Sequence, residues 1–100
     1  MDASQVTVKV NFLGEIRSAV KRRDIEVALE DGSTVGDLLD VLSRQLGDGF
    51  NRQVFAADGA LFPHVSIFIN GSDAKNLSGL ETRLTGGEVD VLILPTYGGG

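Results

Sequence analysis

Hydrophobic and polar positions alternate near the start of the chain. Val6, Val8, Val10 and Phe12 are separated by Thr7, Lys9 and Asn11, the period of two that turns one face of a strand toward a core and the other toward water. Ile25, Val27 and Leu29 repeat the pattern against Asp24, Glu26 and Glu30. Residues 13–21 between them hold one glycine and mixed polarity, so the pattern predicts a loop joining two antiparallel strands into a hairpin. Asp31-Gly32 ends the alternation, and Thr34 followed by Asp37 reads as a capping box with Asp in place of Glu, starting a helix at Val35. Val35, Leu38, Leu39, Leu42 and Leu46 then keep one apolar stripe until Gly47. A helix with one apolar stripe and a sheet with one apolar face each bury what the other exposes, so this helix is expected to lie across the sheet.

Residues 48–63 read as an irregular excursion. Asp58-Gly59 marks a turn, and Phe50, Val54, Phe55, Leu61 and Phe62 are placed to cap one end of the core. Val65, Ile67 and Ile69 form a third strand closed by Asn70-Gly71, while Val89, Val91 and Ile93 form a last one opened by Gly86-Gly87. Between these, 72–84 has room for a short edge strand and one helical turn near Leu77 and Leu80. The pattern therefore gives an α+β domain of four or five strands with one main helix. Val8, Val10, Val27, Leu39, Leu42, Ile67, Val91 and Ile93 are expected to be buried together.

A chain of 100 residues, 42% apolar and 23% charged, has the size and composition of one soluble globular domain. No apolar run approaches the roughly 20 residues of a membrane span, and the start MDASQVTVKV lacks the basic-then-apolar order of a signal peptide, so a cytoplasmic location is expected. Fourteen acidic against nine basic residues give a net charge of −5, which repels phosphate backbones and anionic headgroups. Nucleic acid and membranes are therefore not expected partners. Lys21-Arg22-Arg23 reads as a solvated loop.

With no cysteine, disulfides, thiolate metal sites and cysteine nucleophiles are excluded. His64, the only histidine, follows Pro63 and reads as a turn residue, and Asp37 with Asp40 reads as a solvated helix face. Gly32, Gly36, Gly47 and Gly49 lack the spacing and lysine of a phosphate-binding loop. The sequence contains neither an enzyme active site of its own nor a metal site.

What remains is the end of the chain. In VSIFINGSDAKNLSGLETRLTGGEVDVLILPTYGGG, Asn70-Gly71, the bend from Leu77 to Leu80, Gly86-Gly87-Glu88-Val89, Pro95 and Gly99-Gly100 follow one another in a definite order. In this order the segment resembles the small ubiquitin-like sulfur carriers, the family of the molybdopterin synthase small subunit and its relatives. The resemblance implies a ubiquitin-like β-grasp fold, with a mixed four- to five-stranded sheet whose first and last strands lie side by side. It divides the chain into a domain of residues 1–94 and a flexible diglycine tail of residues 95–100. Thr96, Tyr97 and Gly98 depart from family tails, which commonly carry an aliphatic and a small residue there. The 48–63 excursion is closer to archaeal modifier-type members and to a carrier of cysteine biosynthesis.

The same resemblance implies the chemistry. A ubiquitin-activating-type adenylyltransferase, using ATP, would adenylate the carboxylate of Gly100, and sulfur attack would leave a thiocarboxylate. This would be donated to a sulfur-accepting synthase subunit, in molybdopterin synthesis foremost, with no cofactor bound by the chain itself. The alternative is a modifier joined through Gly100 to target-protein lysines. Gly98, Gly99 and Gly100 suit a narrow channel because they lack a Cβ, and Pro95 and Tyr97 would set the register of entry. Alternation turns Leu92 and Leu94 outward, and Phe68 with them, so an exposed partner-binding patch is expected on the outer sheet face.

Overall fold

The computed structural model describes residues 4–96. Strands β1 (Gln5–Phe12), β2 (Asp24–Glu30), β4 (Val65–Ile69), β5 (Ser72–Asp73) and β7 (Glu88–Pro95) make one sheet in the order β2-β1-β7-β4-β5. The first and last long strands are parallel neighbours, with Val8 opposite Val89, Val10 opposite Val91 and Phe12 opposite Ile93. β2 and β4 flank them antiparallel. A second ladder joins β3 (Ser33–Thr34) to β6 (Arg83–Leu84). This is the mixed sheet of a ubiquitin-like β-grasp.

Helix α2 (Val35–Leu46) starts and stops where the sequence places it. Thr34 Oγ1 accepts from the Asp37 N–H at 3.1 Å, and the Asp37 carboxylate accepts from the Thr34 N–H at 3.0 Å, so both halves of the capping box are present. Gly47 closes the helix. Its stripe Val35, Leu38, Leu39 and Leu42 is buried against Val8, Val10, Val27, Ile67, Val91 and Ile93 in one core. All eight residues expected inside are there.

Two stretches depart from the sequence expectation. Residues 13–21 are not a simple loop: α1 (Gly14–Val20) interrupts the hairpin and buries Ile16. Seven residues with one fully buried side chain leave no visible stripe; tertiary packing against a neighbouring helix and the end of β7 supplies what propensity does not. That neighbour is α3 (Asp48–Val54), which occupies the first half of the supposed excursion. A Cβ at Gly49 would come within 2.7 Å of the Ala19 carbonyl oxygen, so a glycine is what lets α3 approach the α1 backbone. Phe50 and Val54 are fully buried, and Phe50 meets Phe12 and Phe55 edge to face with ring centroids 6.2 Å apart in each pair.

Among the described residues no helix is long and apolar enough to cross a membrane. Leu42→Ala is expected to lower stability by about 2–5 kcal/mol, the cost of truncating a fully buried leucine. Chemical denaturation checks this, and a loss well below that range would mean that the α2 stripe does not carry the core.

Candidate functional site

The site is built where β7 runs out. Pro95 is still in register, paired with Val65 of β4, so the strand delivers the chain to its last residues without an intervening loop. Thr96 is then held twice by the carbonyl of His64. Its N–H donates to that oxygen, and its hydroxyl donates to it at 3.0 Å. With that proton committed, the buried Ser66 hydroxyl donates to Thr96 Oγ1 at 3.1 Å. His64 lies in the turn before β4, as its position after Pro63 suggested, and stacks on Phe62 at 5.0 Å.

Pro95 is confined from the other side as well. Gly14, at φ +63, opens α1 directly against it, and a Cβ built there would sit 2.9 Å from Pro95 Cγ. The N–H of Leu13 donates to the Ile93 carbonyl at 3.1 Å and ties the start of α1 to the end of β7. The exit of the tail is thus fixed from β4, from α1 and by the sheet itself. Tyr97, Gly98, Gly99 and Gly100 lie outside the described residues.

Phe68, Leu92 and Leu94 share the outer sheet face as expected, but they are not the exposed patch that alternation predicts. Phe68 and Leu92 are directly paired across β4 and β7, and Leu94 stands opposite Ser66. All three are half-buried rather than exposed, because cross-strand neighbours shield part of each side chain. None belongs to the core cluster or to the side chains packed against it. Phe55, Leu61 and Phe62 from the excursion pack on the core, so they do not cover this patch. Phe68, Leu92, Asn11, Gly71 and Asp90 surround a shallow depression of ≈ 230 Å³.

Leu13 extends the patch and was not foreseen. It is 42% exposed and still extended at φ −128°, ψ 162°, so the alternation that buries Phe12 brings Leu13 to the outer face near the tail exit. The signal was present, since Leu13 continues the β1 alternation by one place, but its assignment to a loop hid it. A larger groove of ≈ 670 Å³ lies between α2 and α3, lined chiefly by Leu39, Phe55, Leu80 and neighbouring alanines. Its polar lining comes from Asp40, Ser43, Asn51 and Arg52. Among the described residues no cluster of three or more His, Asp or Glu forms a metal-binding group.

Gly14→Ala is expected to cost about 1–3 kcal/mol, because it combines a left-handed backbone with a methyl group pressed on Pro95. Hydrogen exchange at Thr96 checks the local part. Faster exchange there is expected, and unchanged exchange would show that Gly14 does not set the tail exit.

Comparison with known proteins agrees with this geometry. The family model described as the ThiS family matches residues 10–100. A protein of Archaeoglobus fulgidus assigned as a sulfur carrier is 35% identical over 83 residues, covering 83% of this chain and 91% of its own. Small archaeal modifier protein 3 of Haloferax volcanii is 31% identical over 92 residues, covering 92% and 98%. The solution structure of small archaeal modifier protein 1 from Methanosarcina acetivorans superposes with a TM-score of 0.78 at 27% identity, over 96% of this chain and 98% of that one. With its β-grasp sheet, a family model that spans residues 10–100 and relatives above 30% identity over most of its length, the chain belongs to the ThiS family, among the ubiquitin-like sulfur carriers and protein modifiers.

Proposed function

We propose that this protein carries sulfur as a thiocarboxylate on Gly100. The observation that supports this most is the fixed tail exit. Pro95 and Thr96 are held by Val65, His64, Ser66 and Gly14, and four residues then follow, the last of them Gly100. Fully extended, those four span at most about 14 Å. A partner can draw the carboxylate into its active site while the domain docks outside, and a rigid exit keeps that short reach from being spent on misdirected conformations.

The chemistry balances with an ATP-using partner. The Gly100 carboxylate attacks the α-phosphorus of ATP and pyrophosphate leaves, giving an acyl adenylate. Hydrosulfide then attacks the acyl carbon and AMP leaves, which places sulfur on the chain terminus. Without a cysteine the chain has no side-chain thiol to serve instead. A synthase subunit would take the sulfur from there, in molybdopterin synthesis foremost. The similarity to a small archaeal modifier protein favours a second reading from the same activated state, in which a target lysine amine displaces AMP and forms an isopeptide bond. Intact-mass measurement with the adenylating enzyme, ATP and sulfide separates the two: replacement of one oxygen by sulfur supports the carrier, and lysine adducts support the modifier.

Docking would use the Phe68, Leu92 and Leu94 patch. Phe68→Asp or Leu92→Asp is expected to leave the fold intact, because neither side chain is in the core, and to weaken association with the adenylating enzyme by at least about tenfold. Calorimetric titration checks this, and unchanged affinity in both variants would remove this face from the interface.

Removing Gly100 is expected to leave thermal stability unchanged, since a single terminal residue contributes little packing. Sulfur acceptance should collapse, since one residue fewer draws the carboxylate back by about 3.5 Å, where a misplacement of about 1 Å already costs roughly a hundredfold. Full thiocarboxylate yield from a chain ending at Gly99 would show that the register is not fixed at the tail exit. The same yield from a chain ending at Tyr97 would overturn the carrier reading.

A further inference from the structure

We infer that a cationic notch beside the tail exit seats an acidic rim on the protein that receives the tail. Arg17, Ser18, Lys21, Arg22 and Arg23, with Gly14, line a polar notch of ≈ 570 Å³ that runs along α1 from its first residue to the loop after its last. Gly14 is shared: it forms one wall of the notch and lies against Pro95. All four basic side chains are exposed, and among the described residues none forms an ion pair, whereas Arg44 pairs with Asp40 and Arg52 with Asp48. Glu15 and Asp24 flank the notch in sequence. Even so, residues 14–24 hold four cations and two acids, while the rest of the chain holds five cations and twelve acids. The net charge of −5 is therefore a local +2 set against −7.

Lys21 adds an independent sign that this arrangement is kept at a cost. It caps α1 at φ 61, ψ 33, the left-handed position that glycine commonly fills after a helix, and an L side chain is strained there. The helix dipole favours one cation at this end. It does not call for four crowded together, which repel one another unless an anionic surface meets them.

Geometry names the occupant. This step rests on the proposed carrier reading, in which a partner binds the Gly100 carboxylate. The tail reaches at most about 14 Å beyond Thr96, so the mouth of any channel that engages Gly100 must lie close to the notch. A neutral or basic mouth would strip water from unpaired cations on docking, whereas carboxylates there would pair with them and speed encounter. The nucleotide phosphates that react with Gly100 would lie a tail length away and cannot be what the notch holds. The −7 remainder of the chain disfavours a nucleic-acid backbone.

The test is an amide chemical-shift titration of the full chain with decaglutamate, beside a ten-nucleotide RNA. Saturable, salt-sensitive shifts confined to residues 17–23 are expected, reduced at least about fivefold in affinity by Arg22→Gln with Arg23→Gln and less than about twofold by Lys75→Gln with Arg83→Gln. Shifts shared evenly with Lys9, Lys75 and Arg83, or tighter binding of the RNA, would overturn the inference. In the adenylation assay Arg22→Glu with Arg23→Glu should raise KM at least about tenfold with kcat unchanged. An unchanged KM would likewise overturn it. Failure of the wild-type chain to be adenylated at all would instead defeat the carrier reading, and the titration decides the notch without any adenylation.

Discussion

The pairing of β1 with β7 is the contact on which the rest of the molecule depends. Both strands are hydrogen-bonded on each side, and their inward residues Val8, Val10, Phe12, Val89, Val91 and Ile93 are all essentially without exposure. Parallel neighbours cannot be joined by a tight turn, so everything between Phe12 and Glu88 serves as the crossover. The pair therefore forms only when the two ends of the chain meet, and it fixes where the C-terminus emerges. Because β1 and β7 run in the same direction, the end of β7 lies beside the start of α1. That is why Gly14, two residues past the alternation that opens the chain, lies against Pro95.

What was legible in the sequence was whatever repeats. The alternation of β1 and β7 and the stripe of α2 recur often enough for side-chain direction to be read, and the Thr34 and Asp37 caps sit at fixed spacing. α1 was missed because Ile16 is its only fully buried residue and its first position is a glycine, so no period could be seen. α3 offered more: Phe50 and Val54 are four apart and face the core together, a helical spacing hidden by two glycines and an asparagine nearby. The β3 and β6 ladder is two residues long on each side and has no sequence signature at all.

The site divides along the same line. Its apolar part was readable because Phe68, Leu92 and Leu94 belong to alternating strands. The hydrogen bonds among Ser66, His64 and Thr96 depend on which residues the antiparallel β4 and β7 register brings together, thirty or more positions apart in sequence. The grouping of Arg17 with Lys21, Arg22 and Arg23 required α1, since a loop gives no reason for Arg17 to join the other three. Lys21, Arg22 and Arg23 do form the exposed loop expected of them; what the missed helix hid is that Arg17 stands beside them.

These parts also bear on how tightly a carrier can dock. Holding four tail residues in a channel costs about 1–2 kcal/mol each, or roughly 4–8 kcal/mol in all. Fully burying a large apolar side chain returns about 1.5–3 kcal/mol, but Phe68, Leu92 and Leu94 are already half-buried, so together they return only about half of the full sum, roughly 2–5 kcal/mol. Leu13, at 42% exposure, adds part of one more. The apolar patch alone leaves the tail close to the break-even point. On the proposed reading, contacts with the partner around the tail and at the cationic notch would supply the margin. Such a division would suit the proposed shuttling role: a weak apolar patch would not hold wrong partners, and withdrawal of the tail would free the chain from the right one.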